Sequence, residues 1–195
     1  MKTLSMTELW QQLEQFLLGA APEVYKNLNP GASRDEIKRV AREMNVEFDV
    51  SCVECYSIHN GQVADSPGLF NAEEFLSLER MVDAWKTWNE TLRSGAFARA
   101  KGAPSGSVKG DWYNSKWIPF TYQSRGDYLC LDYDPAAGGK KGQIIRLIHD
   151  DPERSVIAGS LLDFLNDFNG QILAGNFVYS AEDYGLVHTD GYVWW

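Results

Sequence analysis

Between Trp117 and Leu165 the chain reads WIPFTYQSRGDYLCLDYDPAAGGKKGQIIRLIHDDPERSVIAGSLLDFL. Two apolar-rich runs, about 116–123 and 127–133, are separated only by Ser124-Arg125-Gly126. A third, about 143–148, follows the Gly- and Lys-bearing turn 135–142. Turns this short join antiparallel neighbours, so the three runs predict one antiparallel sheet on which the rest of the chain must pack. Arg154 to Ala158 is a candidate fourth strand. Ser160 to Leu173 reads as a helix with Leu161, Phe164, Leu165 and Phe168 turned inward.

The chain before the sheet is helical in pattern. Leu9, Leu13, Phe16 and Leu17 make one stripe of a helix over about Met6 to Leu18, which Gly19 stops. Ala20 to Ala32 holds Pro22, Pro30 and Gly31 and reads as loop or a short helical turn. Ser33 with Glu36 opens a second helix, with Ile37, Val40, Ala41 and Met44 buried. Asp49 is a good N-cap for a third, which ends at Asn60-Gly61. After a short β segment at Gly68-Leu69-Phe70, Asn71 caps a long helix over about Ala72 to Leu92, with Phe75, Leu78, Met81, Val82 and Trp85 on its apolar face. Gly95 to Asp111 is rich in Gly, Ser, Lys and Arg and reads as an exposed loop. The tail from Asn176 to Trp195 is aromatic and reads as strand plus irregular chain. Helices, then hairpins, then a helix predict an α+β fold with helices around a central antiparallel sheet. No internal repeat or linker interrupts the 195 residues, so one domain is expected, with 1–32 a helical extension and 176–195 an aromatic tail.

Composition bounds the function. An apolar fraction of 44% and an aromatic fraction of 13% can fill a core, which rules out a disordered chain. The net charge of −9 argues against direct nucleic-acid binding, which needs a basic face, and suits a basic protein partner. No run approaches the roughly 18 apolar residues of a membrane span, and the N-terminus lacks a signal-peptide pattern. Three cysteines without a disulfide framework fit a reducing cytoplasm.

The chemically suggestive residues divide into weak constellations. Cys52-Val53-Glu54-Cys55 lacks the preceding strand of a redox motif and the second ligand pair of a zinc site, so buried thiols are expected. His59 is expected to be a satisfied residue at a helix end. His149-Asp150-Asp151 could bind a divalent ion only if outside ligands converged on it. Gly138, Gly139 and Gly142 with Lys140 and Lys141 mimic a phosphate loop but lead into a strand, so a hairpin turn is the reading. Asp127, Asp132 and Asp134 lie on or beside the hairpin. Alternation puts Asp132 and Asp134 on one side of the strand and Tyr133 on the other. The three carboxylates are either an acidic lip for a basic partner or turn-forming residues. Trp117 is either a core indole or an exposed stacking residue. These four are the candidate protein-binding residues, and no metal or cofactor is expected.

Seven pieces now support a family resemblance. They are YSIHNGQ at Tyr56 to Gln62, GLF at Gly68 to Phe70, SLERMVDAW at Ser77 to Trp85, WIPF at Trp117 to Phe120, GDYLCLD at Gly126 to Asp132, GKKGQI at Gly139 to Ile144, and SVIAGSLLDFL at Ser155 to Leu165. In this order, over about residues 33 to 170, the chain resembles the SUKH superfamily of fungal Smi/Knr-type cell-wall regulators and bacterial toxin-immunity proteins. One departure is at Phe48-Asp49-Val50, where the family often has Leu-Pro opening the third helix. Asp49 can cap that helix without proline.

The resemblance implies a non-enzymatic protein-binding domain. Fungal members tend to carry long polar flanks, which this chain lacks, so the expectation is a bacterial immunity protein that occludes a cognate toxin, and the acidic chain suits a basic one. The alternative is a regulatory scaffold of the fungal type. A metal-assisted hydrolase built on His149, Asp150, Asp132 and Asp134 is the third reading, and it requires these groups to converge.

Overall fold

The computed structural model describes residues 4–191. In chain order its elements are α1 (Met6–Ala20), α2 (Pro22–Tyr25), α3 (Arg34–Glu43), α4 (Val50–Ile58), β1 (Glu74–Phe75), α5 (Leu78–Arg93), β2 (Ala103–Ser105), β3 (Trp117–Pro119), β4 (Thr121–Tyr122), β5 (Tyr128–Asp132), β6 (Gln143–Leu147), β7 (Glu153–Ala158), α6 (Leu161–Leu173), β8 (Phe177–Ser180) and β9 (Gly185–His188).

Side-chain caps set the helix starts. Ser5 and Glu8 form a reciprocal capping box on α1. Ser33 Oγ accepts from Glu36 N at 3.2 Å, Asp49 Oδ2 from Ser51 N at 3.1 Å, and Ser160 Oγ from Asp163 N at 3.1 Å. Each satisfies an amide that helix geometry leaves open, worth typically about 1 kcal/mol. Three boundaries differ from expectation. Helix α1 runs through Gly19, around which there is open space, and α4 ends at Ile58. The long helix begins at Leu78 because Ser77, not Asn71, is its cap, accepting from Arg80 N at 3.3 Å. Asn71 and Ala72 form a tight turn instead, both at positive φ (51° and 61°), closed by reciprocal bonds between Phe70 and Glu73. Phe75 is buried in either arrangement, so the apolar stripe could not tell helix from strand there.

The three expected β runs lie side by side and antiparallel, in a five-stranded sheet of order β2-β7-β6-β5-β3. Its register pairs Trp117 with Asp132 and Cys130 with Ile145. Two features correct the expectation. The run 116–123 divides in mid-course: β3 pairs with β5, while β4 pairs with β1 in a separate ladder and keeps hairpin bonds at Phe120 N to Leu129 O and Gln123 N to Asp127 O. Pro119 marks the change, since it has no N–H to give to a ladder. The sheet is also mixed. Residues expected in an exposed loop supply β2, which runs parallel to β7 with Pro104 opposite Arg154. The tail forms the β8–β9 hairpin, and its residues 192–195 lie outside the described residues.

The sheet has two covered faces. Ile118, Phe120, Leu129, Leu131 and Ile144 pack with the helices in the main core. Helix α1 belongs to that core through Met6, Leu9, Trp10, Leu13 and Leu17, although residues 1–32 read as an extension. The opposite face carries Trp117, Cys130, Ile145 and Leu147. Val108 and Tyr113 of the irregular 94–116 segment cover it, with Trp88 of α5 at the margin.

Candidate functional site

The three carboxylates, read as either an acidic lip or turn-forming residues, do not share one exposed patch. Asp132 and Trp117 are both 0% exposed. Asp132 lies on the second face of the sheet, where Oδ2 accepts from Gln143 Nε2 (3.0 Å) and Oδ1 from Asp134 N (2.9 Å). Burial raises its pKa, and these bonds oppose the rise. A buried, bonded carboxylate cannot meet a partner, so Asp132 fastens the strand end and Trp117 is core. Asp134 is partly exposed but engaged, accepting from Lys109 Nζ at 2.6 Å and Asn114 Nδ2 at 2.9 Å. The Lys109 bond is the main reason its carboxyl is held below the usual range. Asp127, before the other end of β5, accepts from His149 N (3.0 Å), and its Oδ1 lies 2.9 Å from His149 Nδ1. The hydrolase reading needs these groups together, and they sit with different partners at opposite ends of one strand. No cluster of three His, Cys, Asp or Glu side chains suited to a metal ion occurs among the described residues.

The other constellations are also interior. Cys52, Cys55 and Cys130 are buried free thiols. Burial raises all three pKa values, that of Cys55 to about 12, so none is a thiolate nucleophile near neutral pH. His59 follows α4, with Nδ1 2.8 Å from Asn29 O and Nε2 2.7 Å from Glu14 Oε1, and it packs edge-on to Trp10. Trp85, read from the sequence as part of an apolar helix face, is only partly buried, and its indole N–H donates to Ser115 O at 2.8 Å.

One open surface that joins apolar to charged side chains is a two-lobed groove around the α3–α4 connection. Helix α3 ends at Glu43, and Asn45 turns the chain at φ 53°. Residues 46–48 then form a common wall before Asp49 caps α4. One lobe, of about 800 Å³, is lined by Arg42, Lys116, Lys141, Glu47, Val50 and Tyr133. The other, of about 660 Å³, is more apolar and includes Ile37, Ala41, Val46, Phe48 and Val53.

Three elements bring the basic side chains together. Arg42 stands on the last turn of α3, and Lys116 precedes β3 and donates from Nζ to Asn45 O. Lys141 comes from the β5–β6 turn, which can approach only because residue 142 is glycine. Gly142 adopts φ +84°, and a Cβ there would stand 2.5 Å from Asp49 Oδ1. Asp49 itself is fully engaged, holding Ser51 N and Oγ through Oδ2 and Tyr133 Oη through Oδ1 (2.9 Å). Among the described residues no carboxylate pairs with Arg42, Lys116 or Lys141. Val50 is 71% exposed at the lip. The cavity between α3 and α5 is different, because Lys86 and Arg39 there already pair with Glu43.

The arrangement offers apolar surface beside cations that, among the described residues, no carboxylate neutralises by a direct ion pair, which is binding chemistry. The sequence reading missed it. The only local signal was the departure at Phe48-Asp49-Val50, where an apolar residue stands exposed just after the cap.

The pattern of the SMI1 / KNR4 family (SUKH-1) matches residues 31–167. The chain is 23% identical to KNR4/SMI1 homolog 2 of Debaryomyces hansenii, over 96% of this chain and 39% of that protein. It is 21% identical to the cell wall assembly regulator SMI1 of Saccharomyces cerevisiae, over 89% of this chain and 41% of that protein. It is 23% identical to the cell wall biosynthesis/cell cycle regulator smi1 of Schizosaccharomyces pombe, over 93% of this chain and 39% of that protein. The chain thus spans about two fifths of the length of these curated relatives.

Proposed function

Because this chain belongs to the SMI1/KNR4 (SUKH-1) family, we propose that it is a regulatory protein-binding module, which acts by holding a partner in the groove between α3 and α4 and turns over no substrate. The observation that carries this reading is the groove itself, an open recess that joins apolar surface to cations that have no carboxylate partner among the described residues. Regulation is favoured over toxin immunity on two grounds. The relatives described above are named as homologues or regulators of cell-wall assembly, biosynthesis and the cell cycle. The acidic lip on which a basic toxin would have docked lies partly in the interior, with Asp132 fully buried.

The test is affinity capture with wild-type protein and Val50→Asp. Asp suits the first turn of a helix, so the variant should keep its fold. Proteins held by the wild type should be lost from the folded variant. If that variant retains every captured protein, the groove is not the docking face.

A further inference from the structure

The charges around the groove point to what it holds. The chain as a whole carries −9, yet the larger lobe presents Arg42, Lys116 and Lys141. Two acids share that lobe. Asp49 is a carboxylate whose oxygens are held by Ser51 and Tyr133, and with Glu47 it leaves the three cations in a slight majority. The N-terminus of α4 is already capped by Asp49 and is not the attracting feature. Exposed Val50 and the ring of Tyr133, tilted 43° to that of Phe48 at 5.8 Å, flank these cations, and across the wall of residues 46–48 lies the more apolar lobe.

We propose that the groove binds an acidic protein segment bearing an apolar side chain, its carboxylates on Arg42, Lys116 and Lys141 and its apolar group against Val46, Phe48 and Val50. This rests on the reading of the groove as the docking face, and it gives the partner a charge opposite to that expected from the composition. A nucleic acid is the other polyanion to consider. It needs a continuous basic track, whereas this lobe is interrupted by Glu47 and Val50 and set in an acidic chain. Charge complementarity in such a site raises the association rate and excludes wrong partners, while the apolar contact slows release.

The experiment uses the full chain and a short fluorescein-labelled peptide in which pairs of glutamates alternate with single leucines. Its glutamine counterpart is the control, and an unlabelled single-stranded oligonucleotide is the competitor. Anisotropy should show the glutamate peptide binding at least about tenfold more tightly than the glutamine one. Lys141→Glu, at an exposed turn with no bond to lose, should weaken it by about tenfold, and raised salt should weaken it further. Amide chemical shifts should move at residues 46–50 and 141. Absence of binding, or equal binding of the glutamine peptide, overturns the acidic occupant and leaves the groove reading intact. Binding with shifts confined to another surface overturns the groove reading itself. Displacement by the oligonucleotide at equal concentration overturns a peptide occupant in favour of nucleic acid.

Discussion

On one face of the large sheet, Ile118, Phe120, Leu131 and Ile144 meet helices; on the other, Trp117, Cys130, Ile145 and Leu147 meet an irregular stretch of chain. The same strands supply both faces, but the covers make different demands. A helix satisfies its own backbone internally, so the strand side chains beneath it can be apolar throughout. Irregular chain brings unpaired carbonyls to the interface, and buried carbonyls need donors. The second face therefore contains polar side chains as well. Gln143 Nε2 donates to Ser107 O at 3.0 Å, and Arg154 donates to Trp112 O at 2.8 Å with its guanidinium 5.3 Å from the Trp112 ring. Asp132 in turn holds Gln143. A carboxylate in this β pattern marks a polar interior just as readily as a solvent face.

The largest effect that can break this comparison is the loss of an aromatic from either face. Trp117→Ala and Phe120→Ala should each cost about 3 to 5 kcal/mol, because each vacates a fully enclosed site. Denaturant unfolding measures both. A mild result for Trp117 alone would mean that the irregular cover collapses into the gap and that the second face is only loosely packed.

Next is Arg154→Met, which keeps the aliphatic bulk and orphans the carbonyls of Asp151, Glu153 and Trp112. We expect a cost of about 2 to 3 kcal/mol, with faster hydrogen exchange in 97–113 and little change in α1 or α6. Equal acceleration in the helices would show that the two faces open as one unit.

Glu73 tests the region where the main sheet passes to the small β1–β4 ladder. Its carboxyl is 3% exposed and accepts from Thr121 Oγ1 at 2.5 Å. Burial pushes its pKa up from 4.5 to about 7. The folded state therefore holds a proton that the unfolded chain has lost between those values. The stability linked to this proton is fully present below pH 4.5 and is lost as pH rises through about 7. Glu73→Gln should flatten that decline and be the more stable protein at pH 8, by on the order of 2 kcal/mol. Thermal unfolding from pH 4.5 to 8 checks it, and a parallel decline in the variant would refute it.

The smallest effect contrasts the two carboxylates once expected to act together. Asp134→Asn should cost under about 1 kcal/mol, since its partner Lys109 is solvent-exposed. Its lowered pKa means that its stabilisation is present above the ordinary carboxylate range and is lost as pH falls through the folded value. Asp132→Ala should cost about 1 to 3 kcal/mol, because it leaves Gln143 and the Asp134 amide short of an acceptor. Equal costs would remove the distinction between interior and rim.

Much of the fold was legible in the residues. Ser33, Asp49 and Ser160 each cap a helix through a contact two or three residues away, so local sequence contains the whole interaction. The Ser124-Arg125-Gly126 turn closes its hairpin in the same local way, with Gly126 at φ 94°. The family resemblance was legible for a related reason, since its seven pieces each form a turn, cap or packed stripe. The start of α5 was misread because the stripe through Phe75 fits both periods, although Ser77 offered the correct cap.

By itself, then, the sequence determined the α+β class, the antiparallel core of the sheet, the starts of the helices other than α2 and α5, and the family, all through contacts between near neighbours or through strict periodicity. Tertiary structure alone decided which strand face the 94–116 segment would cover, and so whether Asp132 met solvent or Gln143. It also decided that Arg42, Lys116 and Lys141, distant in the chain, would meet around one groove. Neither outcome has a periodic or local signature. Burial and electrostatic potential depend on where remote segments come to rest, and here that turns on single contacts such as Gly142 against Asp49.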